Sequence, residues 1–360
     1  MKRVFGLDVL RTLAIVQVLL GHGMSIYLGE ASKSRLEGFY GFLGVELFFV
    51  LSGFLIGAIA LAAFETAADG GVVRDFLTRR WLRTLPNYYL FLAVNAALAA
   101  WLGGDGFHLR YLVFLQNLFW PMRPFFGESW SLAVEELFYL LLPLLLLFAA
   151  RRSREPGRLL IALVGALVAF TVIRLAFVWA LQPGFHAVVR KTAGLRLDSL
   201  MYGVIAAWLY RHARQRFMQG RWITFALGVA LIVGSVRAVV VLAPSSPLGA
   251  SAAVAGVSLG AALTLPFLSS WQIGEGPIRA VFEWSSRISY ALYLCHLPTS
   301  NVIRHFGAPP GPLGLAIFVA TSCALATLIY YAFERPFLKL RDRLPRHAPA
   351  PVTLAESMPT

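Results

Sequence analysis

Arg11 and His22 stand eleven positions apart in the apolar stretch DVLRTLAIVQVLLGH, Asp8 to His22. On a helix, eleven residues turn through about 1100°, roughly 20° past three full turns, so both side chains share one face about 16 Å apart. A histidine can take or give a proton near neutral pH, and an arginine can hold an anion. Asp8 lies three residues before Arg11 and can reach it across one turn. An ionisable side chain inside a membrane span faces protein or water, which makes this face a functional candidate. Taken alone, it fits equally a structural Asp8–Arg11 pair with an interfacial histidine.

Other segments carry candidates of the same kind. In FLTRRWLRTLPNYY, Arg80 and Arg83 are three apart and share a face on a helical turn, with Arg79 beside them. Guanidinium groups suit bidentate recognition of phosphate. Basic residues next to Trp81 and Tyr88 also fit an ordinary cytoplasmic anchor. ESWSLAVEELFYLLLP puts Glu135 and Glu136 about one turn into an apolar run, with Ser131 and Tyr139 four residues either side of Glu135. Paired carboxylates there are costly unless they line a wet cavity. Glu46 lies near the start of GVELFFVLSGFLIG, where Gly53 and Gly57 allow another helix to approach closely. Arg196 and Asp198 open the run GLRLDSLMYG. In RISYALYLCHLP, Ser289, Tyr293 and His296 follow i, i+4, i+7 spacing and form a polar stripe. Glu334–Arg335 before Pro336 reads as a helix end.

The elements that must position these residues are membrane helices. The chain of 360 residues is 58% hydrophobic and only 14% charged, whereas soluble domains carry about 25% charge. Repeated long apolar runs read as about ten spans, near residues 4–28, 40–64, 84–103, 132–150, 158–182, 194–211, 222–242, 248–270, 286–306 and 312–335. The fold class is therefore an all-α integral membrane protein. With the N-terminus placed in the cytoplasm, 21 of the 32 Lys and Arg residues fall on the inside, 8 outside and 3 within spans. This bias sets both termini in the cytoplasm. The net charge of +14 then reflects basic cytoplasmic loops, and no soluble segment is long enough for a nucleic-acid module. Cys295 and Cys323 both fall in apolar runs and read as reduced packing residues. The MKR start resembles a signal peptide, but Asp8 and Arg11 interrupt the apolar region, so the first span is expected to be retained. Residues 1–337 read as one transmembrane domain and 338–360 as a basic cytoplasmic tail, with disorder expected after about Leu344. No oligomeric state is read from the chain.

In this orientation His22, Glu46, Glu135, Arg196 and Asp198 fall in the outer half, while Arg11, Arg80 and Arg83 lie toward the cytoplasm. A basic inner mouth facing a deeper acid/base cluster fits a phosphate-rich donor whose reactive end reaches a base far across the bilayer.

The chain resembles the acyltransferase 3 family of bacterial membrane acyltransferases. The resemblance rests on Arg11 with His22, the Gly44–Gly57 run, Arg80-Trp-Leu-Arg83 followed by Pro86 and Tyr88, SWSLAVEELFYLLLP from Ser129, Arg196/Asp198, SYALYLCH ending at His296, and Glu334-Arg-Pro. Leu137 and Cys295 stand where the family pattern has glutamine and a bulky aromatic. The resemblance implies transfer of an acyl group, usually acetyl from acetyl-CoA, to a hydroxyl of a carbohydrate or glycolipid acceptor. The setting it implies is the bacterial cytoplasmic (inner) membrane, with no metal. By this likeness His22 is catalytic, as general base or transient acyl carrier, with Glu135 or Glu46 orienting it. Arg11, Arg80 and Arg83, joined by Arg79, serve the CoA donor. Trp130, Arg196, Asp198, Tyr293 and His296 are expected on the acceptor side. Many family members carry a fused SGNH hydrolase-like domain, which is not expected here. The alternatives are a transporter or flippase for a lipid-linked sugar, whose path the same charges would line, and a non-catalytic partner in polysaccharide assembly.

Overall fold

The computed structural model describes residues 3–28, 41–345 and 347. All regular structure among them is helical: α1 (Phe5–Tyr27), α2 (Phe42–Thr66), α3 (Gly70–Leu102), α4 (Ser129–Arg152), α5 (Pro156–Leu181), α6 (Leu197–His212), the short α7 (Arg214–Met218), α8 (Arg221–Leu242), α9 (Pro247–Ser270), α10 (Pro277–His305), α11 (Pro312–Ile329) and α12 (Arg335–Arg343). Among the described residues eight helices are long and apolar enough to cross a membrane, the last running from Pro312 to Arg343. Each of the ten expected spans overlaps a helix. The two outside the eight are α6, with 16 residues, and α10, whose first half carries the charged ladder Arg279–Glu283–Arg287.

Helix ends follow local chemistry. Proline opens α5, α9, α10 and α11, where its missing N–H costs nothing. The Asp69 side chain caps α3 by accepting from Gly71 N at 2.7 Å and Val72 N at 3.1 Å. A hydrogen bond from His347 and these two N–H groups hold its carboxyl below the usual carboxylate range. This cap starts α3 about four turns before the expected span, so Arg79, Arg80 and Arg83 stand on the helix itself, not in a loop. At the other end of the chain the helix does not stop at Glu334. A π turn over Tyr330–Glu334 carries it into α12, with Pro336 in the first turn of the new segment. The tail is thus helical to Arg343, and residues 348–360 lie outside the described residues.

Of the eight apolar spans, α1, α2, α4 and α9 are the most enclosed, while α5 and α8 turn most of their surface outward. Trp179 and Trp222 sit on those outer faces. The close approach predicted at Gly53 and Gly57 is made by α6. A Cβ at Gly53 would stand 2.0 Å from the Leu200 carbonyl oxygen, and one at Gly203 would stand 2.1 Å from that of Val50. The start of α1 meets the α9–α10 connection, where Gly6 N donates to Trp271 O (3.0 Å). At the other end of α1 Gly311 N donates to Tyr27 O (2.6 Å). Cys295 and Cys323 are free thiols, Cys295 fully buried.

Candidate active site

A cavity of about 520 Å³ opens among α1, α2, α3, α4 and α10, with the end of α12 at its edge. Its charged lining is Arg3, Arg11, Arg80, Arg83 and Arg341 against Asp8 and Glu135. Asp8 is held by Arg3, not by Arg11: Arg3 Nε donates at 2.9 Å, and Ser286 Oγ adds a bond of 2.6 Å. The long arm of Arg3 reaches back over the start of α1, whereas Arg11 is drawn toward α10, with Nη1 3.5 Å from Ser286 Oγ. Glu135 is tied to Arg80 through Tyr139. The tyrosine hydroxyl donates to Glu135 Oε2 (2.7 Å), meets Ser52 Oγ (2.7 Å) and accepts from Arg80. Among the described residues Arg83 makes no hydrogen bond or ion pair. Two carboxylates thus occupy Arg3 and Arg80, and the cavity keeps a surplus of positive charge on Arg11 and Arg83, with Arg341 at its edge beside the water-exposed Asp342. Such a surplus in an enclosed space favours a polyanionic ligand.

His22 lies beyond the far end of this cavity, three turns up α1 from Arg11. On α10, Ser289 and Tyr293 line the cavity, and His296 follows one turn later. The two histidines meet with His296 Nε2 3.1 Å from His22 Nδ1 and ring centroids 5.0 Å apart. Their tautomers follow from their partners. His296 Nδ1 stands 2.6 Å from the Tyr293 carbonyl, which can only accept, so that nitrogen carries the proton. In the neutral ring Nε2 is then an acceptor. It takes the hydrogen of His22 Nδ1, which the Val18 carbonyl at 3.1 Å also attracts. His22 Nε2 is left with a free lone pair, the form a general base or nucleophile needs.

Several expected site residues take other places. Glu46 does not approach His22. It is fully buried in an ion pair with Arg196 and accepts from Ser199 Oγ (3.1 Å) and Ser258 Oγ (3.3 Å). Glu135 does not orient His22 either, being committed to Tyr139 and Arg80. Asp198 pairs with Arg174 of α5 at 2.7 Å, both out of contact with solvent. Arg196 and Asp198 therefore lock α6 to α2 and α5 and do not line the cavity, because each charge buried among helices demands a partner there. Trp130 is a core residue, edge-on to Phe49 at 6.0 Å, while its neighbours Ser131 and Leu132 form the cavity wall. Arg79 points away from the cavity, onto Asp75 (2.8 Å) and the C-terminal segment. Adjacent residues on a helix diverge by about 100°, so Arg79 and Arg80 cannot serve one site. Tyr293 does line the cavity, its hydroxyl bonded to Ser131 Oγ (2.6 Å) and to the Glu128 carbonyl (3.0 Å).

The structure adds residues and links that the sequence reading passed over. Tyr139, placed on the Glu135 face by its i+4 spacing, proves also to join Glu135 to Arg80, a link across helices that spacing does not give. Ser286 links Asp8 and Arg11, a contact between distant parts of the chain with no local signal. Glu128 is 3% exposed, and among the described residues neither carboxylate oxygen has a hydrogen-bond partner. It sits directly before the SWSL motif, beside Tyr293. Among the described residues no group of three or more His, Cys, Asp or Glu side chains could hold a metal ion.

The bundle is that of a multi-pass membrane protein with a basic internal cavity. The family model described as "Acyltransferase domain", of the acyltransferase 3 group, matches residues 4–331, and the chain belongs to that family. It is a membrane acyltransferase of the kind that transfers groups other than aminoacyl groups. Nodulation protein 10 of Rhizobium leguminosarum bv. viciae is 26% identical over 373 residues, covering 94% of each chain. A protein of Staphylococcus aureus (strain COL), provisionally named an O-acetyltransferase, is 28% identical over 232 residues, which are 58% of this chain and 35% of that one. YrhL of Bacillus subtilis (strain 168), provisionally named a peptidoglycan O-acetyltransferase, is 26% identical over 383 residues, 92% of this chain and 54% of that one. The chain thus spans about a third and about half of the last two relatives. No solved structure gives a significant match.

Proposed function

We propose that the protein moves an acyl group, in the simplest case acetyl, from cytoplasmic acyl-CoA to a hydroxyl of a carbohydrate or glycolipid acceptor. The setting is the bacterial cytoplasmic membrane, with both termini inside and ten spans. Two relatives are provisionally named O-acetyltransferases, one of them for peptidoglycan, which supports this acceptor class. The observation that carries the reading is the tautomer chain Tyr293 carbonyl–His296–His22, which leaves His22 Nε2 unprotonated beyond the end of a basic cavity.

The donor's phosphates bind Arg11 and Arg83, with Arg80 behind them. The roughly 16 Å rise from Arg11 to His22 suits an extended pantetheine arm, which brings the thioester to the histidine pair. In direct transfer, His22 Nε2 takes the acceptor's hydroxyl proton as the oxygen attacks the thioester carbonyl. The carbon–sulfur bond breaks, and the CoA thiolate leaves with the proton held by His22. In a relay, Nε2 itself attacks, CoA leaves as the thiolate, and His296 Nε2 receives the Nδ1 proton of His22; the acceptor oxygen then takes the acyl group, His296 returns that proton to Nδ1, and the hydroxyl proton passes to the thiolate or to water. Either route gains from proximity and from a positioned base. His296 fixes the His22 ring, the part first assigned to a glutamate.

The test is release of CoA thiol from acetyl-CoA by purified protein in proteoliposomes, wild type beside Arg83→Gln and His22→Ala. Release by the wild type, at raised KM for Arg83→Gln and absent for His22→Ala, supports the reading. Equal release by all three overturns it.

A further inference from the structure

The cavity's edge takes in the far end of the last helix. Arg341, on the last turn of α12, lines it together with Arg11 and Arg83. The segment that carries Arg341 is held by Arg79. Arg79 Nη1 donates to the Arg341 carbonyl (3.1 Å), and Nη2 donates to the carbonyls of Leu344 (2.7 Å) and Pro345 (3.0 Å). Its Nε is engaged by Asp75 (2.8 Å). Four of the five N–H donors of Arg79 are thus taken by Asp75 and the C-terminal backbone, which turns its guanidinium away from the cavity. Arg341 is differently placed. Among the described residues its side chain is hydrogen-bonded only to the neighbouring Asp342, with Nε and Nη2 at 2.9 and 2.7 Å from one carboxylate oxygen, and that side chain is 61% exposed. A pair open to water is weakly held and readily exchanged for a better anion.

We infer that Arg341 is a donor ligand supplied by the C-terminal segment, binding a phosphate of CoA at the cavity's edge, and that Arg79 is the positioning residue that holds it there. This rests on the donor reading above. The thioester must reach the histidine pair at the deep end, so the phosphates remain at the edge where Arg341 stands. The arginine next to the Arg80–Arg83 pair then acts through the tail and touches no substrate.

Binding of CoA itself tests this without any acceptor. The full-length protein in detergent is titrated with CoA by calorimetry as wild type, Arg341→Gln, Arg341→Lys, Arg79→Gln and the Arg79→Gln/Arg341→Gln double variant, with a melting curve for each. Arg341→Gln should weaken CoA about tenfold, as loss of one charge-assisted contact does. Arg341→Lys should recover most of the affinity. Arg79→Gln should match Arg341→Gln, and the double variant should be no worse than either, because one residue acts through the other. Arg341→Gln binding CoA like the wild type overturns the inference while the donor reading stands. Full multiplication of the two single effects overturns the positioning role of Arg79. A wild type that binds no CoA overturns the donor reading and this inference with it.

Discussion

His296 Nε2 stands 3.1 Å from His22 Nδ1, which joins the first spanning helix to α10, 274 residues further along the chain. The contact fixes which nitrogen of His22 is free. It predicts a graded series. Replacing His22 with Ala should lower kcat by roughly 10²–10⁴-fold, the usual worth of a positioned base. His296→Phe, which removes one of the two acceptors of His22 Nδ1–H and leaves only the Val18 carbonyl, should cost about a hundredfold through misplacement. His296→Gln, which can still accept that hydrogen, should fall between His296→Phe and wild type. Steady-state rates on acetyl-CoA read the series, and His296→Phe at wild-type kcat would remove the orienting role.

The cavity arginines should behave as binding residues. Arg83→Gln should raise KM for acetyl-CoA about tenfold and leave kcat within about twofold, since it removes binding shared by ground and transition states. The wild-type KM should climb with salt, and the Arg83→Gln KM should climb less steeply. A loss confined to kcat would place Arg83 at the chemistry instead.

The Glu46–Arg196 pair is predicted to be structural. Replacing Glu46 with Leu leaves Arg196 buried and unpaired, which typically costs about 3–5 kcal/mol. The double change Glu46→Leu/Arg196→Met should recover much of that loss. Its folded fraction should still turn over acetyl-CoA in a His22-dependent way. Unfolding curves in detergent, paired with activity per folded molecule, check both points. A stable but inactive double variant would return Glu46 to the reaction.

The α2–α6 seam gives a packing prediction. Gly53→Ala drives a methyl into the Leu200 carbonyl, so helix separation should cost about 1–3 kcal/mol. Gly165→Ala, on α5 with nothing within 4 Å, should be neutral. Melting temperatures of the two variants in the same detergent make the comparison. Equal values would contradict the seam.

What could be read from the sequence was local. The Arg11–His22 face, the Ser289–Tyr293–His296 stripe and the Gly53/Gly57 contact follow from helical spacing, and the structure keeps each. Partnerships across the chain could not be read. Glu46 and Arg196 are 150 residues apart, and nothing in either segment announces the other. Arg174, alone in an apolar helix, did require a partner, yet only the fold shows it to be Asp198. Periodicity separates Arg79 from Arg80 by about 100° but does not say which faces the cavity. The start of α3 was missed because GGVVRDFLTRR is not apolar, although Asp69 before two glycines was a capping signal. Sequence reasoning gives His22 a glutamate partner because carboxylates commonly orient imidazoles. The structure uses a second imidazole held by a backbone carbonyl.

The most direct test follows radiolabelled acetyl from acetyl-CoA in purified protein, wild type beside His22→Ala, both shown to be folded and membrane-inserted. The wild type should remove label from CoA, and His22→Ala should not. Label retained on the wild-type protein would identify the relay, and label passed straight to acceptor or water would identify direct transfer. Equal loss of label from CoA with both proteins would contradict the central role of His22.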